Sequence, residues 1–432
     1  MIFSLIVVSL TIILMVLFII IKPYFSVKKI KIGLYAVITF VGAVIILVSG
    51  TLPFKVFTHA ITENSPVNPL KILALFLSMS LISIYLGETG FFVMIAEKLF
   101  QKNKGGSFRL FAILYFTVGL LTLFTSNDII ILTFTPIICV FCKKAKISPL
   151  PFLFGEFISA NTFSMAFIIG NPTNLYLAGA SLITFTEYLK VMFLPTLLGS
   201  LVAFFTLIII FKKQLFGEKM QKPSEKSSSP VQKVPMIISL VVLLLTLVFL
   251  TIADVINVES YLICVVGFLA LTIILVVYNF VVYKDIKGVI LVLKKAPYEL
   301  IPFVLSMFTL VASLEYNGIT DILSKALLSG TKTDALTFSF LSLGSANLLN
   351  NIPMSVLFEK IVAGGNVYAL YGSIIGSNVG AFLTPVGALA GIMWSKILQN
   401  YQVKVKFTEF LKYGVLPAVA TALVSALTLM LF

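Results

Sequence analysis

Four short polar interruptions in an otherwise apolar chain carry the chemistry. Thr125-Ser126-Asn127-Asp128 separates two apolar stretches in the first half, and Asn350-Asn351-Ile352-Pro353 separates two in the second. The segments IIGNPTN (168–174) and LTPVGAL (383–389) break two longer stretches with Gly170, Asn171, Thr173 and Asn174, and with Thr384, Pro385 and Gly387. A broken apolar helix leaves backbone N–H and C=O groups without partners. In hydrocarbon each costs several kcal/mol unless a ligand, water or side chain satisfies it. Half-helix N-termini attract electron-rich oxygens, while free carbonyls coordinate cations. The alternative is that Gly and Pro kink packed helices and that Asn and Thr glue them together. Four breaks in matched positions favour a binding site. An ionisable group at membrane depth marks function by default, so Asp128 is a candidate cation ligand and proton carrier, the other reading being a helix cap. Glu156 is a second candidate proton carrier, or else a buried polar partner. Asn127, Asp128 and Asn350 are candidate oxygen donors to a sodium ion.

Composition fixes what must position these residues. Of 432 residues 59% are hydrophobic and 11% charged, and mean hydropathy is +1.10. A soluble domain cannot hide so much apolar surface, which excludes a soluble enzyme and a secreted disulfide scaffold. The apolar residues fall in runs of about 18–25, the length of a membrane-spanning helix. The net charge of +14 comes from lysine, Arg109 being the lone arginine. Nucleic-acid surfaces lean on arginine forks, so no nucleic-acid partner is expected. One histidine (His59) and no metalloprotease or phosphate-loop motif leave little for an enzyme, and no cofactor is expected. Cys139 and Cys142 form a C-x-x-C on an apolar arm, where packing is the expected role.

The lysines orient the spans, because short cytoplasmic loops are rich in them. The run 1–21 reads as a retained first helix, followed by a cytoplasmic loop with Lys22, Lys28, Lys29 and Lys31. The loop 51–68 fits outside and the segment 98–109 inside. Arg109 and the cluster Lys143, Lys144 and Lys146 both ask for the cytoplasm, so 108–143 reads as a re-entrant hairpin with its tip at 125–128 inside the membrane, the alternative being two complete spans joined by a four-residue loop that puts Asp128 outside. Glu88 and Glu315 lie near span ends. The polar stretch 212–233 reads as a flexible cytoplasmic linker dividing two halves, 1–211 and 234–432. Leu77-Ser78-Met79 recurs as Leu305-Ser306-Met307, and Gly90 as Gly318 at the same offset. Each half then has a hairpin (108–143; 335–360) and a broken helix (149–180; 367–396), the second hairpin opening outward. The expected fold is an all-α polytopic membrane protein of two inverted-topology repeats, the plan of secondary transporters. A bacterial plasma membrane suits the lysine-dense loops.

The segments LGETGFF, SNDIIILTFTP, SANTFSMAFIIGNPTN, NNIPMSVL and GSNVGAFLTPVGALAGIMW resemble the arsenite-efflux permeases of the ion transporter superfamily, which also holds sodium/proton antiporters and citrate- and dicarboxylate-carrying sodium symporters. The resemblance runs from about residue 30 to 432. It implies a homodimer with a scaffold and a mobile transport domain, an elevator motion and, for an arsenite-type member, an energising ATPase partner. It also implies a transport site at Thr125, Ser126, Asn127, Asp128, Asn350, Asn351 and Pro353 of the tips and Gly170–Asn174 and Thr384–Gly387 of the breaks. Asn161, Ser377 and Asn378 of the flanking segments join that site. Sodium-coupled dicarboxylate members carry Ser-Asn-Thr at both tips; Asp128 and Ile352 depart from that pattern. The expected function is therefore proton-coupled efflux of a small solute such as arsenite. Alternatives are a sodium/proton antiporter, a sodium-coupled dicarboxylate or citrate carrier and, in another class, a passive channel or membrane scaffold.

Overall fold

The computed structural model describes residues 1–21, 24–27, 30–64, 68–102, 106–179, 183–217, 220, 231–253, 255–363 and 366–432. The first half holds α1 (Ile2–Ile21), β1 (Tyr24–Val27), β2 (Ile30–Gly33), α2 (Leu34–Val48), α3 (Phe54–Thr62), α4 (Pro69–Glu88), α5 (Phe91–Lys102), α6 (Ser107–Phe124), α7 (Asn127–Ala145), α8 (Leu150–Phe163), α9 (Pro172–Gly179), α10 (Phe185–Ile210) and α11 (Lys212–Gly217). The second holds α12 (Lys233–Thr251), α13 (Ser260–Tyr283), α14 (Lys287–Leu293), α15 (Leu300–Tyr316), α16 (Ile319–Leu327), α17 (Asp334–Leu349), α18 (Asn351–Val362), α19 (Val367–Val379), α20 (Leu389–Asn400) and α21 (Phe407–Leu429). Among the described residues, six helices are long and apolar enough to cross a membrane, or seven if α15 and α16, bent by 78°, form one span.

Two details lie beside the helical plan expected from the sequence. The loop after α1 contains the antiparallel hairpin β1–β2, the two strands among the described residues; Lys22, Lys28 and Lys29 lie outside the described residues. The linker expected over 212–233 begins as helix α11, because Leu215 is buried and Phe216 stacks on Phe108 at 4.9 Å. Most of the remainder lies outside the described residues.

Packing pairs the halves. Helix α2 lies on α15 and α13 on α4, while α10 lies along α21. The second hairpin arms also cross over: α7 packs on α20 and α18 on α9. Small residues allow the closest approaches. A Cβ on Gly119 would collide with the Phe163 ring, and one on Gly372 with the Ala335 carbonyl, so α6 meets α8 backbone to side chain and α17 meets α19 backbone to backbone.

Contacts at the helix ends sort the loops into two faces. On one, Lys295 pairs with Glu88 at 2.6 Å and the Gln232 N–H donates to the Thr89 carbonyl. The start of α6 joins α11 there through Phe108 and Phe216. Helix α4 carries the chain across, and at its far end Lys71 pairs with Glu259. On that second face Lys360 pairs with Glu315 at 3.2 Å, Asn317 donates to the Thr51 carbonyl, and Lys332 donates to the Met430 carbonyl. The Met1 amino group donates to Asn317 on the same side. The hairpin α6–α7 thus opens on the first face and α17–α18 on the second. The first face gathers Lys143, Lys144, Lys146, Lys212, Lys213, Lys233, Lys294 and Lys295; lysines on the second are interspersed with Glu63, Glu187, Glu259 and Asp321.

Candidate functional site

Both broken helices come apart through extended and 3₁₀ backbone. After α8 the chain passes through Ser164–Ala166, extended Phe167, Ile168–Gly170 and extended Asn171 before α9 begins. After α19 it passes through Gly380–Phe382 and reaches extended Ala388 before α20. The turns are too tight for a side chain at two points: a Cβ on Gly170 would strike the Ser164 carbonyl, and one on Gly387 the Gly380 carbonyl.

Asparagine side chains take over the lost helical hydrogen bonds. The Asn174 amide donates to the Ser164 and Phe167 carbonyls at 2.8 and 3.0 Å. Asn347 donates to the Gly380 carbonyl at 3.0 Å, and Asn350 to the Val386 carbonyl at 3.0 Å. The Asn351 backbone N–H donates to the Gly387 carbonyl at 3.0 Å. Each pairing removes a penalty of several kcal/mol at that depth.

Asn378 ties the two halves together. Its Oδ1 accepts from Ser164 Oγ and from Asn171 Nδ2, both at 2.9 Å, and its Nδ2 donates to Asn174 Oδ1 at 2.7 Å. In the first half Asn127 Nδ2 donates to Asn161 Oδ1 at 2.9 Å, which fastens the tip to α8. In the second, Thr384 Oγ1 donates to Asn347 Oδ1 at 2.6 Å. Helices α7, α9, α18 and α20 all start at the tips and breaks, so their positive dipole ends meet this region. Asn351 Oδ1 and Thr173 Oγ1 are buried without a hydrogen-bond partner. The polar side chains that the tips and breaks bring together are thus neutral amides and hydroxyls, with the Asp128 carboxylate at the first tip.

The model of the family described as Citrate transporter matches residues 2–369. The chain belongs to the citrate transporter family. It is 25% identical over 368 residues to a putative arsenical pump membrane protein of Bacillus subtilis, covering 78% of this chain and 81% of that one. It is 24% identical over 394 residues to an Escherichia coli arsenical pump membrane protein, covering 87% and 88%. Its fold is similar to that of the YdaH transporter of Alcanivorax borkumensis, with a TM-score of 0.61 and 12% identity over 100% of this chain and 97% of that one. This member of the citrate transporter family is a multi-pass membrane protein whose relatives are transporters.

In this family member the expected residues fall into two groups. Asn127 with Asn161, and Asn171 and Asn174 with Asn378, are drawn together as described. Thr173 is buried beside them, its backbone N–H donating to Asn171 Oδ1. Asn350 and Asn351 reach the break next to Gly387, and Pro353 is buried on the same helix. Ser377 meets Ser355 of α18 at 3.4 Å between hydroxyl oxygens. Thr125 turns its hydroxyl back to the Leu121 carbonyl, and Ser126 is buried at the tip. Pro385 is packed by Gly391, where a Cβ would strike its carbonyl. Asp128 is partly exposed, and no described side chain donates a hydrogen bond to its carboxylate. Glu156 stands apart, fully buried, accepting from Thr135 Oγ1 at 2.9 and 3.1 Å. Sequence reasoning missed Ser164, Asn347 and Thr135. Ser164 and Asn347 are polar residues flanking the tips and breaks, a signal that was present but unused.

Proposed function

We propose that this protein is a secondary active transporter for a small anion or oxyacid, working as a proton-coupled efflux carrier of an arsenite-type solute. The observation that carries the reading is the neutral lining just described. Among the described residues no lysine or arginine reaches the tips or breaks, so a multiply charged anion would lie there without a fixed counter-charge, which is costly at membrane depth. Arsenous acid, uncharged at neutral pH, needs hydroxyl and amide partners instead. Asn127, Asn161, Asn351 and Thr173 supply these, and the four helix N-termini polarise its oxygens. Asp128, partly exposed and with no described side chain donating to its carboxylate, holds a cation or proton during part of the cycle. The hairpins, entering from opposite faces, would carry the site between them in an elevator motion, with a second copy of the chain as scaffold partner. The lysine-rich face is then cytoplasmic.

The family's description favours a second reading, transport of a carboxylate such as citrate, to which we add sodium as the coupling ion. It requires a cation held by Asn127, Asp128 and Asn350 to offset the substrate's charge. Reconstituted protein decides between them. Arsenite accumulation driven by an imposed proton gradient, with no response to sodium, supports the first reading. Citrate uptake driven by sodium overturns it, and downhill flux indifferent to both gradients makes the protein a channel.

A further inference from the structure

The crossed packing of the hairpin arms creates two equivalent contacts, α7 on α20 and α18 on α9. Counted from the first residues of the arms, Asn127 and Asn351, the ninth is Thr135 in one and Glu359 in the other. Each contact buries one carboxylate. At the first it is Glu156 of α8, bound by Thr135, with the Trp394 indole and Cys139 as neighbours. At the second it is Glu359 itself, beside Tyr176 of α9. Trp394 Nε1 and Tyr176 OH are both buried, the indole directed at the Glu156 carboxylate. Each carboxylate therefore sits beside an aromatic donor, the Trp394 indole or the Tyr176 hydroxyl.

Each also lies towards a different face. Thr135 is eight residues from Asn127 and eight from Lys143, about 12 Å from either along the helix axis. A cleft of about 610 Å³ opens there, lined by Cys139, Lys143, Lys144, Asn400, Tyr401 and Gln402. Cys139, a neighbour of Glu156, thus lines a cleft on the lysine-rich face. Glu359 adjoins Lys360, 3.6 Å away, which pairs with the half-exposed Glu315 on the opposite face.

We propose that Glu156 and Glu359 are a pair of proton-exchange sites, Glu156 served from the lysine-rich face and Glu359 from the other. The inference rests on the proton-coupled reading above. At each site a carboxylate oxygen takes a proton from water and later returns it to water; only O–H bonds form and break. The charged and titratable surroundings differ. Around Glu156, α7 contributes Cys139 and, towards the cleft, Lys143 and Lys144, while α20 contributes the neutral indole. Around Glu359, α18 contributes Lys360, α15 Glu315 and α9 Tyr176, and Asp321 and Lys325 of α16 are solvent-exposed. Among the described residues, Lys360 is a cation adjacent to Glu359, whereas Glu156 is met by the neutral Thr135 hydroxyl and Trp394 indole.

The test uses full-length protein in liposomes, with arsenite as the probe. Two fluxes are measured: accumulation driven by a proton gradient of either polarity, and arsenite exchange at equal pH on both sides. Glu156→Gln and Glu359→Gln are expected to keep exchange and to lose accumulation by at least about tenfold, since a positioned proton-transfer group contributes typically about 10²–10⁴-fold. Accumulation equal to wild type with unchanged pH dependence in both variants overturns the inference. If a Gln variant does not fold, Thr135→Val and Tyr176→Phe leave both carboxylates in place. A displaced pH profile of accumulation then supports the inference, and an unmoved one overturns it. A wild type blind to the proton gradient brings down the coupled reading itself, whereas a responsive wild type with equally responsive Gln variants removes only the assignment of these two residues.

Discussion

The two hairpin tips perform the same architectural task with different chemistry. The first turns through ordinary extended backbone at Thr125 and Ser126, presents the open Asp128 carboxylate and is fastened by one amide pair, Asn127 to Asn161. The second turns through Asn350 at φ 71°, ψ 151°, a region close to glycine-only for an L-residue, and has no carboxylate. It is held more firmly, by Asn350 to the Val386 carbonyl and Asn351 to the Gly387 carbonyl. On the proposed reading the two halves divide the labour: the first tip supplies a carboxylate that can titrate, and the second is an over-determined clamp whose strain is held by its own broken helix.

The sharpest way to break this comparison is to neutralise the first tip. Asp128→Asn keeps size and most hydrogen bonding, so folded protein is expected, with gradient-driven arsenite accumulation down by about 10²-fold or more. Normal accumulation with unchanged pH dependence would make Asp128 a structural cap. Asp334 supplies the contrasting carboxylate. At the mouth of the second hairpin it accepts from the Ser329 N–H and hydroxyl, the Gly330 N–H and the Asn366 amide, at 2.7–3.0 Å. Asp334→Ala should lower thermal stability in detergent by about 2–3 kcal/mol, leaving the pH dependence of any remaining transport in place.

The clamp has its own signature. Asn350→Ala keeps the unfavourable backbone angle and loses the side-chain bonds, whereas Asn350→Gly relieves the angle. The alanine variant should be the less stable by about 1–3 kcal/mol, measured by thermal unfolding; equal stability would remove strain from the account. The smallest effect is expected at Asn127→Ala. It removes one neutral hydrogen bond of about 1 kcal/mol, weakening arsenite binding about fivefold while the pH profile stays where it was.

Much of this was legible in the sequence, because polar residues inside apolar runs and the placement of lysines are local signals. Gly170, Asn174, Thr384 and Gly387 mark their breaks without any partner in view. What was not legible is which residues answer them. Asn378 meets Ser164, Asn171 and Asn174 across more than 200 residues of sequence, and neutral amides carry no sign by which a partner could be inferred. Glu156 could be placed in a span, but nothing in its neighbourhood pointed to Thr135 or Trp394. The chain-end ion pairs show the converse. Glu88 and Glu315 read as span-end groups, and they are, each paired with a lysine, Lys295 or Lys360.

All these contrasts depend on the hairpins entering from opposite faces. Lys146→Cys and Lys360→Cys, each in a Cys139→Ala background and in both intact cells and inside-out vesicles, test that directly with a membrane-impermeant maleimide; Cys139 is replaced because it lines the cleft on the lysine-rich face, while Cys142 and Cys264 are buried. The account predicts labelling of position 146 from the lysine-rich, cytoplasmic face and of position 360 from the outside. Labelling of both from the same face would contradict it.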